Sequence, residues 1–309
     1  MRTLVVGPRG VGKTTYCESL CAEQNCSFLN LDPARQTTNP LGTVGLLGPG
    51  MVPEGFRFVG TLAPHRDPMN VLSALEHSMS DDLVVELPIS SVSAVAVGFL
   101  RAAVDTFVPE KIVSIVFASI KELLQPQPSV EVTVLEPVSE AVALPAAAEA
   151  SWRKALWKRS FEKCVKREVG IELVCGARIG SGVRLSHEEM AQLRDIGLET
   201  AQYAEIIGEI LYIVISGRAE TEAVSDACHQ FECAKAHLAH PKTFQGLVCG
   251  FESSSGTHTA IGRISTLREH CFVVEAQEFA FDSLWRLRLG RVRLGSDSEE
   301  LGEIRAWQV

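Results

Sequence analysis

The sequence predicts an α/β fold, a parallel sheet with flanking helices followed by a smaller β-rich domain. Three observations predict it. Apolar runs alternate with helical stretches over residues 1 to about 130. A glycine-rich turn joins the first run to the first helix. From about Ile171 the pattern breaks into short β-type runs separated by Gly and Ser. The first runs are Thr3–Val6, Ser27–Leu31, Phe56–Val59, Leu83–Leu87 and Ile112–Phe117. None alternates cleanly, as expected of strands covered on both faces. The segments between them are long enough for crossover helices. A further strand, Val130–Leu135, follows the turn Gln125-Pro126-Gln127-Pro128, and a basic helix is expected from about Ser151 to Lys166. Beyond Ile171, Glu220–His240 reads as a helix among β runs such as Leu211–Ile215, Gly246–Phe251 and Cys271–Glu275. The expected domains are 1–170, nucleotide-binding with a basic lid helix at about 151–167, and 171–309, β-rich.

Composition narrows the function classes. The chain has 309 residues, 46% of them hydrophobic, enough for a buried core and against wholesale disorder. No apolar run approaches the ~18–20 residues that span a bilayer, so no membrane partner is expected. A net charge of −9 argues against coating nucleic acid by charge alone, though not against a local basic groove. Nine Cys without a Cys-x-x-Cys pair argue against a disulfide framework and read as small apolar fillers in a reducing compartment, cytosol or nucleus.

The strongest motif is Gly7-Pro8-Arg9-Gly10-Val11-Gly12-Lys13-Thr14-Thr15, which matches G-x-x-x-x-G-K-[ST] between a buried strand and a helix. Gly7, Gly10 and Gly12 let the backbone turn so that successive N–H groups, Val11 among them, face a polyphosphate. The helix N-terminus adds about half a positive charge there. Lys13 can reach the β- and γ-phosphates, Thr15 follows in the same first turn, and Thr14 can offer its hydroxyl to Mg²⁺. ATP and Mg²⁺ are the expected cofactors. Asp32 closes the second strand and faces the crevice at the sheet's C-terminal edge. It holds the metal through water, orients an attacking hydroxyl, or simply caps the turn before Pro33. No Asn-Lys-x-Asp run reads guanine.

With these motifs in place, the sequence resembles the Clp/Grc/Nol-type RNA 5′-hydroxyl kinases. Gly7-Pro8 through Cys17 fits the family's G-P-x-x-x-G-K-[ST]-x-x-C loop. Asp32 and then Gly42-Thr43-Val44-Gly45 fall at the spacing of its D-x-G-Q and P-G-T-x-G segments. Val59-Gly60-Thr61-Leu62-Ala63-Pro64 fits its G-x-x-x-P strand end. The basic helix around Arg159 and Lys163 resembles its lid, and Gly246–Cys249 with Gly262–Ile264 resembles its small β domain. The sequence starts at the P-loop strand and shows no counterpart of the family's N-terminal β domain. It also departs at two motifs. Asp32-Pro33-Ala34-Arg35 puts Arg where the family has Gln, and Glu86–Ser90 lacks the Gly-Trp pair whose Trp clamps RNA.

The resemblance implies ATP-dependent phosphorylation of RNA 5′-hydroxyl ends in a nuclear RNA-processing complex, with that complex's subunits as partners. Lys13 and Mg²⁺ on Thr14 and Asp32 would neutralise the transferring phosphoryl, and Asp32 would orient the hydroxyl. Arg159 and Lys163, with Arg167, would close from one helical stripe. That stripe is otherwise a solvated face over Trp152, Leu156 and Phe161. The lost Trp and altered Gln suit an alternative, an inactive ATP-bound scaffold of a pre-mRNA 3′-end processing complex. Asn30-Leu31-Asp32-Pro33-Ala34 also occurs in GPN-loop GTPases, which gives a minor alternative, a slow NTPase switch.

Overall fold

A computed structural model of the chain describes residues 1–305 except 37, 90–92, 117–118, 126–127, 139–140 and 142. Two compact units divide between Trp157 and Lys158.

In the first unit the order is β1 (Arg2–Gly7), α1 (Lys13–Gln24), β2 (Ser27–Asn30), β3 (Thr43–Gly48), β4 (Val52–Phe58), α2 (Pro68–His77), β5 (Leu83–Pro88) and α3 (Ala94–Phe107). It continues with β6 (Lys111–Ile115), α4 (Ile120–Leu124), β7 (Glu131–Leu135) and α5 (Ala146–Ser160). The strands line up as β4-β3-β2-β5-β1-β6-β7, parallel from β2 to β7, with β3 and β4 added antiparallel. Successive residues of one strand therefore serve opposite faces. Leu4 and Val6 pack with Val85, Leu87 and the α3 residues Phe99, Ala103 and Phe107. Val5 between them packs with Val84, Val113 and the α1 residues Cys17 and Cys21. Two buried layers explain the unbroken apolar runs. They also account for Cys17 and Cys21 as fillers, and all nine cysteines are unpaired.

The consequence for function is positional. β1 runs between β5 and β6, and β5 lies between β1 and β2. The C-terminal ends of three parallel strands thus converge where a doubly wound sheet binds ligands.

The second unit has two sheets. One is β10-β11-β12-β13, built from β10 (Val183–Arg184), β11 (Ala201–Ile207), β12 (Ile210–Ile215) and β13 (Lys235–Ala239). Its helices are α6 (His187–Asp195) and α7 (Thr221–Gln230), and their apolar residues Met190, Leu193, Ala223 and Ala227 share a core with Leu211 and Ile213. Lys235–Ala239 is a strand rather than the end of the helix expected over Glu220–His240. It pairs in parallel with β12, a non-local partner that overrides the alanine-rich composition. The other sheet carries β14 (Leu247–Glu252), β15 (His258–Arg268), β16 (Cys271–Ala276) and β17 (Arg286–Leu294), antiparallel in the order β17-β14-β15-β16, and the short β9 (Val174–Cys175) joins β17 in parallel. Phe244, Phe251 and Phe272 fill its core.

The expected lid helix takes a different form. α5 begins earlier, at Ala146, and stops at Ser160. Lys163 has a left-handed backbone, φ 56°, which no helix interior accepts. Val165–Gly170 is a strand, β8, paired antiparallel to β16. Arg159, Lys163 and Arg167 therefore share no helical stripe. Arg167 is on that strand, 2.5 Å from Glu278. The same pairing draws β8 into the second unit, so the units part at Trp157/Lys158 and not near residue 170. Among the described residues no helix is long and apolar enough to cross a membrane.

Candidate nucleotide site

The turn between β1 and α1 has the backbone its glycines were expected to supply. Gly10 has φ 77° and Gly12 has φ 89°, the left-handed region that side chains disfavour. A Cβ on Gly10 would also come within 2.6 Å of the Ala143 backbone, and one on Gly12 within 2.5 Å of Val138. Val138 N–H donates to the Val11 carbonyl at 3.2 Å, so the segment after β7 lies against the loop. Gly7 ends β1, where its carbonyl accepts from Ile89 N–H.

α1 starts at Gly12 with no side-chain cap and no acid in its first turn. Its first N–H groups and positive dipole end are thus left for an anion. Lys13, Thr14 and Thr15 occupy that turn and line a cavity of about 190 Å³ together with Arg9, Asp32, Arg35 and Glu86.

Glu86 is the acid that the sequence reading left unassigned. It stands near the end of β5, 3% exposed, one strand over from the P-loop strand. Thr14 Oγ1 donates to Glu86 Oε2 at 2.9 Å, and Lys13 Nζ lies 3.7 Å from Glu86 Oε1. Lys13 Nζ also donates to the Pro8 carbonyl at 2.8 Å. Burial pushes the Glu86 carboxyl up to about 7, against the opposing pull of Lys13 and the Thr14 hydroxyl. Burial likewise lowers the Lys13 ammonium, with Glu86 and Asp32 opposing. A signal was present in the sequence: Leu83-Val84-Val85-Glu86 is an apolar strand interrupted by one acid. What the sequence did not carry was the strand order that sets this acid beside Thr14.

Asp32 sits just past β2, 1% exposed, on the cavity wall. Its Oδ1 accepts from Ala34 N–H at 3.1 Å, a local Asx-type turn, and from Arg9 Nη2 at 3.1 Å. The loop behind it is stitched by Asn30, which takes Asp32 N–H on its side-chain oxygen and donates to the Arg35 carbonyl. Gln36 Nε2 donates to the carbonyls of Asn30 and Asp32. The residue paired with Asp32 is thus Arg9, a P-loop side chain, while Arg35 turns toward Glu149 of α5. Arg159 and Lys163 belong to the second unit, one at the end of α5 and the other in the turn after it. Ser90, the position set against the family's clamp tryptophan, lies outside the described residues.

The oxygen donors suit a hard divalent cation. The Thr14 hydroxyl and the Glu86 and Asp32 carboxylates face one cavity beside the helix N-terminus. Among the described residues no group of three or more His, Cys, Asp or Glu side chains forms a metal site on protein ligands alone.

No protein-family model matches the chain, and no curated protein matches it in sequence. Among solved structures it is similar to a chain of one that describes the extended interface between Pcf11p and Clp1p and the basis of ATP loss in a point mutant. The TM-score is 0.55 at 10% identity, over 94% of this chain and 74% of that one. At that identity the likeness is one of fold: an α/β P-loop unit of Clp1p-like form, followed by a β-rich region.

Proposed function

We propose that this chain binds Mg²⁺–ATP at the P-loop and acts in RNA processing as a polynucleotide 5′-hydroxyl kinase, transferring the γ-phosphate to a 5′-hydroxyl RNA end. The observation that carries the nucleotide reading is the contact of Thr14 with Glu86 beside buried Lys13, at an uncapped helix start. Thr14 would hold the cation directly, with Glu86 accepting the Thr14 proton and fixing the hydroxyl's lone pairs toward the metal. When bound, Mg²⁺ supplies charge neutralisation across the β- and γ-phosphates. Lys13 needs little rearrangement to serve the phosphates, because the Pro8 carbonyl already holds its ammonium inside the loop. Asp32, fixed by the Ala34 amide, would orient the attacking hydroxyl through its second oxygen. Positioning of this kind is most of what a phosphoryl transferase provides.

One observation favours a second reading, an ATP-holding scaffold subunit. Arg9 and the Ala34 amide both donate to Asp32 Oδ1, so that oxygen is already engaged and not open to a hydroxyl. The fold shared with a structure of Pcf11p and Clp1p supports a place among processing-complex subunits and, with it, the nucleus. Single-turnover transfer from γ-labelled ATP to a 5′-hydroxyl oligonucleotide separates the two. Transfer that disappears in Lys13→Ala supports the kinase. ATP bound stoichiometrically with no label on the oligonucleotide supports the scaffold.

A further inference from the structure

Beside the P-loop cavity stands a half-buried acid to which the proposed function gives no role. Glu149, in the first turn of α5, turns its carboxylate toward three arginines. Its Oε1 lies 3.5 Å from Arg9 Nη1, 3.8 Å from Arg35 Nε and 3.2 Å from Arg153 Nη1. The Glu149 and Arg153 side chains are 16% exposed. One carboxylate thus faces three guanidinium groups, of which Arg9 is shared with Asp32.

The hydrogen bonding does not match this charge. Glu149 Oε1 is buried and accepts no hydrogen bond, and Arg9 Nε and Arg35 Nε are buried and donate none. Each such group carries a desolvation cost that no partner offsets. The single oxygen that faces all three guanidinium groups within 4 Å takes a hydrogen bond from none of them. A tetrahedral phosphoryl group, with more charge and three outward oxygens, can meet them, and guanidinium is the side chain suited to it. Arg9 and Arg35 also line the cavity that holds Lys13 and Thr14. Its volume of about 190 Å³ is ample for a phosphoryl group.

We propose that Arg9, Arg35 and Arg153 form a phosphoryl-binding site and that Glu149 is its built-in competitor, displaced when a phosphate enters. The proposal rests on the nucleotide reading for its setting and deepens it. The phosphoryl group is either the terminal phosphate of a nucleoside triphosphate held by the P-loop, or a terminal phosphate on a second ligand. A carboxylate clamp that merely holds the arginines together has the opposite signature, because its removal would weaken anion binding.

Glu149→Gln keeps the shape and removes the charge. Calorimetric titration of the full chain with ATP, ADP and inorganic triphosphate reads the first source. The proposal expects Glu149→Gln to bind ATP and triphosphate about tenfold more tightly than wild type, with ADP little changed. The second source is read with 5′-phosphorylated against 5′-hydroxyl oligonucleotide in the presence of ADP, where the gain falls on the phosphorylated strand. Adding Arg35→Gln should remove either gain. Equal or weaker binding of every phosphate probe by Glu149→Gln would overturn the proposal. Should the variant melt lower, millimolar inorganic phosphate must raise its melting temperature more than it raises that of wild type, and an equal rise counts against the proposal. A gain for inorganic triphosphate with no ATP binding by either protein would leave the arginine site standing and refute the nucleotide reading. Lys13-dependent ATP binding without any gain in Glu149→Gln would do the reverse.

Discussion

Glu86→Gln separates the metal-linked part of nucleotide binding from the rest. The carboxyl is buried and held up to about 7, chiefly by loss of hydration, so near neutrality about half of it is protonated. A cation on the Thr14 hydroxyl favours the ionised form, as does Lys13 at 3.7 Å. Binding of Mg²⁺–ATP should therefore strengthen as pH rises through about 7 and release a proton there. With an acid of that strength about a tenth is ionised at pH 6 and about nine-tenths at pH 8, which makes the Glu86-linked change in affinity about tenfold. A terminal phosphate of the ligand, with its own pKa of about 6, titrates nearby. The Gln variant carries that contribution alone, so the difference between the two slopes belongs to Glu86. The assay is calorimetry at pH 6, 7 and 8 in buffers of different ionisation enthalpy, with Mg²⁺ and with chelator. Equal slopes for wild type and Glu86→Gln would refute the argument.

The same carboxyl sets a stability trend without ligand. Its folded pKa is raised above 4.5, so its favourable contribution is present below about 4.5 and is lost as pH rises toward about 7; chemical denaturation should show that decline flattened in Glu86→Gln. Thr14→Ala should weaken ATP binding chiefly when Mg²⁺ is present, and equal loss with chelator would assign the hydroxyl to the loop's structure instead. Gly10→Ala should destabilise the chain by roughly 1–3 kcal/mol, since it sets a left-handed backbone against the Ala143 backbone 2.6 Å away; thermal melting reads this. Trp157→Ala should cost roughly 3–5 kcal/mol, because the ring is fully buried and its edge lies beside Gly42.

Local patterns carried the P-loop and its flanks into the fold. Gly10, Gly12, Lys13 and Thr14 act within five residues of one another, and a strand, a tight turn and a helix need nothing beyond their own side chains and φ values to be recognised. Asp32 was legible for the same reason, as the residue closing a short strand. Its partner was not, because Arg9 and Arg35 are both near enough in the chain and only the folded loop decides that Arg9 pairs with it. Glu86 stayed hidden because parallel strands pair non-locally: β5 adjoins β1 across some eighty residues, and no spacing announces it. The lid stripe failed on the same ground. Arg159, Lys163 and Arg167 have helical spacing, yet β16 recruits Val165–Gly170 as a strand and the helix ends five residues before it. Glu149 is one acid in an alanine-rich stretch with nothing to single it out in the sequence, and its three arginines come from the P-loop, the Asp32 loop and its own helix.

The central claim is that Lys13 sits in a working polyphosphate cradle. Calorimetric titration of Mg²⁺–ATP into wild type and Lys13→Ala, with folding checked by circular dichroism, tests it most directly. Removing the ammonium deletes a charge-assisted bond of roughly 1.5–3 kcal/mol, so the predicted result is stoichiometric binding by wild type and an affinity about ten- to hundredfold weaker in the variant. The same dissociation constant for both proteins, or no ATP binding by wild type, would contradict it.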